Sequence, residues 1–271
     1  MKLDILFWFY KEVDVCENRL QLLKKYNPNS KIYWLYWWPI KDRDLFEKKL
    51  KTYLDDFYMT PEEDSFQKWI HWDFFLIDWY KNRWQDLSWD SLVMNQWDLL
   101  TFESFDFLFQ GIKKNQIYLP HYDIIDRERE NRWFWTSASR SKNTEDDNPQ
   151  KIHMRANYLS FKKHIKKVFW YNENLPFCIF TVAVLPRIFF EKYKNISKPK
   201  LWFLEYKIPT YAKLFGIELF QKDFGERAQT EEEALSMPIN AFPLEIPKEY
   251  ILSQLKKSDW WRLFHPYYKI F

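Results

Sequence analysis

The first hundred residues alternate between continuous apolar runs and segments that carry apolar residues at helical spacing. Residues 3–10 (LDILFWFY) and 31–38 (KIYWLYWW) are apolar runs that predict buried strands. Residues 15–28 and 42–57 have the helical spacing, and the first of these segments ends at a proline. This order of strand, helix, strand and helix favours an α/β fold with a mixed, mostly parallel sheet and helices on both faces.

A third helical segment, residues 65–87, leads into the run SLVMNQWDLLTF at 91–102, which predicts a central strand that carries Asp98. Open α/β sheets bind ligands at the carboxyl ends of their strands, where a carboxylate could hold a divalent cation against phosphates. The alternative is that Asp98 only ends the strand, because Asp is rare inside strands and common in turns.

The second half of the chain is less regular. Residues 121–157 are polar and predict an irregular insertion, and we expect its segment 136–150 to be a mobile loop near the rim of a cleft. Residues 158–170 predict a helix with lysines on its polar side. Residues 175–186 predict a further strand or a buried bend.

Composition narrows the class of protein. The chain has 271 residues, 46% of them hydrophobic and 29% charged, which suits one large globular domain or two small ones. Its net charge of +3 gives no reason to expect nucleic acid as a partner. Its three glycines leave no place for a P-loop or a dinucleotide-binding fingerprint, which argues against kinases, ATPases and Rossmann enzymes.

Two further features of composition bear on location and on binding. Two cysteines, Cys16 and Cys178, are too few for a disulfide scaffold. The sequence shows neither a secretory leader nor an apolar stretch of about 20 residues that could span a membrane. We therefore expect a cytoplasmic protein. Aromatic residues make up 21% of the chain, with 16 tryptophans. Most of them fit a core of large side chains, whereas a minority could surround a cleft and stack on sugars or bases.

Several motifs occur in an order that resembles bacterial and viral GT-A type nucleotide-diphospho-sugar glycosyltransferases. They are DILFWFY, CENRLQLLKKYNPNSKIYWLYWW, WDSLVMNQWDLL, TVAVLPRIFFEKY, EYKIPTYAKLFGIEL and FHPYYK, and together they span most of the chain. The resemblance implies transfer of a sugar from a nucleotide-diphosphate donor to a hydroxyl of a glycan or glycolipid, as in polysaccharide biosynthesis. It also implies one GT-A-like domain, in which residues 1–110 bind the nucleotide sugar, residues 111–271 bind the acceptor, and the C-terminal tail folds back.

The metal-dependent members of this family hold a divalent cation, Mn²⁺ or Mg²⁺, with an acidic motif at a strand end, and in several members a histidine near the C-terminus completes the site. The matching positions are Asp98, a candidate for metal binding and for catalysis, and His265. Gln96 and Leu100 stand two residues before and after Asp98, so the usual Asp-x-Asp motif is incomplete. A histidine beside a proline is also a common structural residue, and that alternative stays open for His265.

Glu205 is the candidate general base that an inverting reaction requires, because it follows a strand-like run and precedes a helix predicted over 209–215. Its alternative role is to stabilise the N-terminus of that helix. His121 and Asp123 form a second candidate for the base or an acceptor contact, although such pairs are common in turns.

The nucleotide contacts are expected at the end of the first strand, where Tyr10 could stack on the base and Lys11 could meet a phosphate. Arg19 on the first helix and Arg83 before the central strand could also reach the donor. Arg83 could instead satisfy carbonyl groups at a helix end, and Arg187 is a further candidate with a surface ion pair as its alternative.

Two other classes of protein remain open from the sequence. The aromatic residues could form the stacking platforms of a non-catalytic carbohydrate- or nucleic-acid-binding module, in which Asp98 is a turn residue. The cationic run FKKHIKKVFW and the aromatic C-terminal tail could instead be contact surfaces of a peripheral membrane protein. A glycosyltransferase at the inner membrane surface would combine enzyme and membrane binding.

Overall fold

The computed structural model describes residues 1–9, 11–36, 42–59, 72–83, 87–137, 149–199, 201–222, 224, 228, 230–242, 244–257 and 262–271. The strands are β1 (Leu3–Phe9), β2 (Ile32–Tyr36), β3 (Asp56–Met59), β4 (Ser91–Gln96), β5 (Leu100–Thr101), β6 (Gln116–Ile117), β7 (Asp123–Ile124), β8 (Pro176–Phe177), β9 (Val182–Pro186), β10 (Glu218–Leu219) and β11 (Leu263–Phe264). The α-helices are α1 (Val13–Tyr26), α2 (Arg43–Leu50), α3 (Trp72–Arg83), α4 (Phe105–Leu108), α5 (Arg127–Arg132), α6 (Pro149–Phe169), α7 (Arg187–Tyr193), α8 (Leu204–Leu214), α9 (Glu231–Ala234) and α10 (Lys248–Leu255).

The central sheet has five strands in the order β3-β2-β1-β4-β9. Strand β1 runs parallel to both β2 and β4, β2 runs parallel to β3, and only β9 at one edge is antiparallel to its neighbour β4. Every residue of β1 is buried, because a central strand of a parallel sheet is covered on both faces. The predicted α/β fold with a mixed, mostly parallel sheet is therefore confirmed.

Alternate side chains of β1 enter two different apolar clusters. Ile5 and Phe7 pack in a cluster with residues of α1 and α2, whereas Leu6 and Trp8 pack in a cluster with residues of α3, α6 and α8. Successive side chains of a strand point to opposite faces of the sheet, so the two clusters lie on opposite sides. Helices thus cover both faces, as the sequence predicts.

Two elements predicted in the first half of the chain are wrong in extent. The helix predicted over 42–57 ends at Leu50, and after a 3₁₀ turn at Lys51–Tyr53 the chain forms the edge strand β3. The segment has helical spacing, but its hydrogen bonds to β2 outweigh this local preference and make it a strand. The run 91–102 is also not one strand, since β4 ends at Gln96 and, after a turn, β5 pairs with β11 of the tail.

The polar segment 121–157 is more regular than predicted. It contains β7, α5 and the start of α6, and the side chain of Asp126 caps α5 by accepting a hydrogen bond from the Arg129 N–H at 2.7 Å. Most of the predicted mobile loop, residues 138–148, lies outside the described residues. Within the described part of the chain, no helix combines the length and the apolar character needed to cross a bilayer.

Candidate functional site

A cavity of about 490 Å³ opens beyond the carboxyl ends of β1 and β4. This is where ligands of parallel α/β sheets bind, because the loops and helix ends there diverge around a crevice. Polar groups reach it from Gln96, Asp98, Thr181, Glu205 and His265. The rest of the wall is mostly aromatic, with Trp8, Trp72, Trp97, Trp133, Phe134, Trp135, Phe180, Phe203, Phe242 and Tyr268.

Asp98 and His265 meet at the wall of this cavity. Asp98 lies two residues beyond the end of β4, and the antiparallel pair of β11 with β5 carries His265 towards it. The imidazole Nε2 of His265 is 3.5 Å from Asp98 Oδ1 and 3.2 Å from Gln96 Oε1. The Tyr267 N–H donates to the Asp98 carbonyl at 2.9 Å, which fixes the tail against this turn.

The hydrogen bonds around His265 define what its Nε2 faces. Nδ1 lies 2.9 Å from the carbonyl oxygen of Asn240, which can only accept, so Nδ1 carries a hydrogen. The amide nitrogen of Gln96 donates to the Phe180 carbonyl, which turns Oε1 of Gln96 towards His265. Nε2 therefore faces two acceptor oxygens, from Gln96 and Asp98, and needs either a proton or a cation between them.

Burial and charge act in opposite directions on His265. Burial by itself lowers the pKa of this imidazole, whereas the nearby negative charge of the Asp98 carboxylate and the hydrogen bond to the Asn240 carbonyl raise it, and the net shift of the pKa is upward. The site thus favours a positive charge at Nε2, carried by a proton or by a bound cation.

The residues present fit a divalent cation. Asp98 Oδ1 is buried and has no hydrogen-bond partner among the described residues, which is costly for a carboxylate oxygen that binds nothing. A carboxylate oxygen, an amide oxygen and an imidazole nitrogen are donors that Mg²⁺ and Mn²⁺ accept. The described residues contain no cluster of three His, Cys, Asp or Glu suited to a metal, so Gln96 Oε1 would be the third protein donor.

Glu205 lines the same cavity from the first turn of α8. This helix begins at Leu204 and includes Pro209, which corrects the predicted strand-like run before Glu205 and the predicted helix over 209–215. Because Pro209 has no N–H, the Glu205 carbonyl instead accepts from the Cys178 N–H at 2.9 Å. The Glu205 carboxylate accepts from the Phe180 N–H at 3.0 Å, so the carboxylate is held facing the cavity.

Lys11 lies beside an aromatic pair at the cavity. Its ammonium nitrogen is 5.0 Å from the ring centre of Trp97 and 6.0 Å from that of Tyr268, and the two rings stack at 5.7 Å. The exposed Lys11 suits a phosphate, and the partly exposed ring of Tyr268, which lies on the buried Trp97, suits a flat base. Trp97 and Tyr268 were not predicted, although the position of Trp97 next to Asp98 was a usable signal. Tyr10 lies outside the described residues.

The structure does not bring Arg19 and Arg83 into this cavity, which corrects their predicted role as nucleotide contacts. Arg19 is buried, its pKa is lowered to about 10 by burial, and its Nη2 donates to the carbonyls of Tyr267 at 2.7 Å and Lys269 at 2.9 Å. It therefore holds the C-terminal tail. Arg83 lies 3.6 Å from Asp56 of the edge strand β3.

The second candidate pair and Arg187 also lie elsewhere. His121 lines a separate cavity of about 310 Å³, and the Asp123 carboxylate forms an ion pair with Arg129 at 2.5 Å. Arg187 donates to the Leu87 carbonyl at 3.3 Å. None of the three lines the cavity of Asp98 and His265.

No protein-family model and no curated protein matches this chain in sequence. Solved structures similar to it include the galactosyltransferase LgtC in complex with donor and acceptor sugar analogs, with 10% identity, a TM-score of 0.39 and coverage of 72% of this chain. The match spans 60% of LgtC. Mouse xyloside xylosyltransferase 1 has 9% identity and a TM-score of 0.42, and the match covers 98% of this chain and 97% of that protein.

A nucleotidyltransferase is also similar in structure. The 4-diphosphocytidyl-2C-methyl-D-erythritol synthase from Anaerococcus prevotii has 12% identity and a TM-score of 0.41, with 86% of this chain and 92% of that one covered.

Proposed function

We propose that this chain transfers a sugar from a nucleotide-diphosphate donor to a hydroxyl group of a glycan or glycolipid acceptor. The observation that carries the proposal is the meeting of Asp98 Oδ1, a buried oxygen with no hydrogen-bond partner among the described residues, with Nε2 of His265. The two atoms meet at the carboxyl end of a parallel sheet, in a cavity with a mostly aromatic wall.

The donor half of the site is the part around Asp98, His265 and Lys11. A Mn²⁺ or Mg²⁺ ion bound by Asp98, His265 and Gln96 would neutralise charge on the departing nucleotide diphosphate. Lys11 supplies a further positive charge for a phosphate oxygen, and the partly exposed ring of Tyr268, which stacks on the buried Trp97, offers a face for the base.

The acceptor half is the part of the wall around Glu205, which stands among aromatic residues. Trp135 stacks on Phe203 with ring centres 3.7 Å apart, and the partly exposed Phe134 contacts Trp135 edge to face. Such surfaces receive the apolar face of a sugar ring. In an inverting reaction Glu205 takes the proton of the acceptor hydroxyl as its oxygen bonds to the sugar and the bond to the diphosphate breaks.

The aromatic wall also supports a second candidate, a carbohydrate-binding module without catalysis. Among the described residues, ten aromatic side chains line the cavity, more than a cation and diphosphate site alone requires. The Asp98→Asn variant separates the two candidates. A binding module keeps its glycan affinity and shows no dependence on Mn²⁺, whereas the transferase loses binding of the donor nucleotide.

The most direct test of donor binding is a thermal-shift panel of nucleotide diphosphates and their sugars, each with Mn²⁺ and with a chelator. A ligand whose free concentration is 100 times its Kd raises the free energy of unfolding by about 2.7 kcal/mol, which is readily measured as a shift of Tm. We expect stabilisation by one class of nucleotide, larger with Mn²⁺. No stabilisation by any member of the panel would contradict the proposal.

A further inference from the structure

Helix α6, on the α3 and α8 side of the sheet, has an unusual distribution of charge. Over its 21 residues it contains no Asp or Glu. It contains six cationic residues, which are Lys151, Arg155, Lys162, Lys163, Lys166 and Lys167. Like charges on neighbouring turns of one helix repel each other and destabilise it. This composition therefore indicates acidic partners outside the helix.

Two of these cations are used inside the molecule. Glu130 accepts from Lys162 at 2.9 Å and forms an ion pair with Arg155 at 3.1 Å. Three others, Lys163, Lys166 and Lys167, are exposed, and none of them forms an ion pair with any described acidic residue. They form a positive surface near the end of α6.

The same surface carries exposed apolar side chains. Tyr158, Phe161 and Ile165 of α6 are buried in the core. With 3.6 residues per turn, the residues opposite this buried side are Leu159, Lys163, Lys166, Lys167 and, directly after the helix, Trp170. Leu159 is 45% exposed and Trp170 is 85% exposed.

The two residues just before Trp170 are also exposed, Val168 by 50% and Phe169 by 38%, but they lie nearer the buried side of the helix. The Phe169 ring packs edge to face on the core residue Tyr211. We call the surface formed by Leu159, Lys163, Lys166, Lys167 and Trp170 the basic-aromatic face. Contiguous exposed apolar groups next to cations mark an interaction site in a soluble protein.

We propose that the basic-aromatic face binds membranes that contain anionic phospholipids. Lysines meet the negative headgroups, while Trp170 and its apolar neighbours enter the interface between headgroups and acyl chains, where tryptophan is most favourable. Nucleic acid would use the lysines but would leave the exposed Leu159 in water. Charge complementarity and the protruding apolar tip therefore favour the lipid surface.

This inference does not depend on the proposed enzyme activity, although the two fit together. Through Glu130, helix α6 also holds the segment that carries Trp133 and Trp135 at the cavity wall. A protein that docks through α6 would be held at the lipid surface by the helix that supports part of the cavity wall. That position suits a glycolipid acceptor.

The test is co-sedimentation of the protein with vesicles of phosphatidylcholine alone and of phosphatidylcholine with phosphatidylglycerol, each at low and at high salt. We expect binding to the anionic vesicles only, and we expect it to weaken as salt screens the charges. Equal binding to both kinds of vesicle, or binding to neither, would overturn the proposal.

Trp170 allows a variant that separates membrane binding from stability. Its φ angle is +55°, a left-handed conformation that glycine adopts more easily than tryptophan, especially directly after a helix. Trp170→Gly should therefore keep or raise the Tm while it lowers vesicle binding by about tenfold. The matched control is Phe107→Ala, which removes another aromatic side chain that is 62% exposed.

The lysines are tested by charge reversal at matched net charge. Lys166→Glu with Lys167→Glu should lower binding to anionic vesicles at least about tenfold, because each cation near the surface contributes favourably. The control is Lys25→Glu with Lys48→Glu, which makes the same change of net charge on α1 and α2, across the sheet. Equal loss in the two double variants would mean that only net charge matters, and it would refute a specific face.

Discussion

The Asp98 carboxylate has no hydrogen-bond partner among the described residues at its buried Oδ1, and this single atom is the clearest sign of function at the scale of the residue. A buried acceptor without a donor costs free energy, so an aspartate placed here for stability alone would be a poor choice. A cation would supply the missing interaction and would also satisfy the lone pair of His265. We therefore expect that Asp98 lowers the free energy of unfolding of the protein without a bound cation, as residues kept for function often do.

The first prediction concerns Asp98→Asn. The substitution keeps the shape of the side chain and removes its charge, so the free energy of unfolding should stay within about 1 kcal/mol of the wild-type value or rise. Affinity for Mn²⁺ in the presence of a nucleotide diphosphate should fall at least about tenfold, because a charged donor is lost. Urea unfolding and isothermal titration calorimetry measure the two quantities.

Asp106→Asn is the control, because Asp106 is an exposed acidic residue of α4 outside the cavity. It should leave both quantities unchanged. If Asp98→Asn binds Mn²⁺ and nucleotide as well as the wild type, the cation is not held by Asp98.

The C-terminal tail is the element that completes the site. Strand β11 pairs with β5, and the buried guanidinium of Arg19 donates to two carbonyls of the residues that follow. The Phe271 N–H donates to the side chain of Asn18, next to Arg19, at 3.1 Å. Helix α1 therefore fixes the tail, and through the tail it fixes His265 and Tyr268 at the cavity.

The second prediction is that Arg19→Met loosens the tail. The carbonyls of Tyr267 and Lys269 lose their donor, which should lower the free energy of unfolding by about 2 kcal/mol. Hydrogen exchange of residues 262–271 should become faster, and Mn²⁺ affinity should fall because His265 is less well held. Arg132→Met, which removes an exposed arginine of α5, should cost less than about 0.5 kcal/mol. Unchanged exchange of the tail in Arg19→Met would show that β11 alone holds it.

The ion pairs of Glu130 join α5 to α6 and support the aromatic wall. Burial alone would raise the pKa of Glu130, but Lys162 and Arg155 lower it, and the net shift of the pKa is downward from the ordinary value of 4.5. A carboxyl group with a lowered folded-state pKa stabilises the fold above its unfolded pKa. That stabilisation is lost as the pH falls through the folded-state value.

The third prediction follows from this sign. Glu130→Gln should lower the free energy of unfolding by about 1 kcal/mol at pH 7, and the difference from the wild type should shrink as the pH falls below 4.5. Urea unfolding at several pH values measures this. A difference that stays constant or grows towards acid pH would contradict the role of the ionised carboxylate.

At the scale of the whole molecule, the sequence predicts the parts of the fold that depend on local pattern. The continuous apolar run of β1 and the helical spacing of α1 are enough to indicate a parallel α/β sheet. The edge strand β3 is too short for its pattern to show, and only pairing with β2 reveals it. Local spacing therefore predicts central elements better than edge elements.

The residues of the functional site also fall into those that local pattern predicts and those that depend on long-range contacts. Asp98 and Glu205 were predicted because each follows a recognisable segment, and the cavity does contain both. Arg19 was assigned to the nucleotide because a cation after the first strand looks suitable, but contacts 248 and 250 residues away in sequence bury it under the tail. Long-range contacts of this kind have no signature in one sequence, and the pair of Trp97 with Tyr268 was missed for that reason.

The measurement that tests the central claim most directly is release of nucleotide diphosphate from the nucleotide sugar that stabilises the protein best. The wild type should release it in the presence of Mn²⁺ and an acceptor glycan. Asp98→Asn, with an unchanged Tm, should be slower by about 100-fold or more, because charge on the leaving group is no longer neutralised. Release that is equally fast in the wild type and in Asp98→Asn, or the absence of release with every donor tested, would contradict sugar transfer at this site.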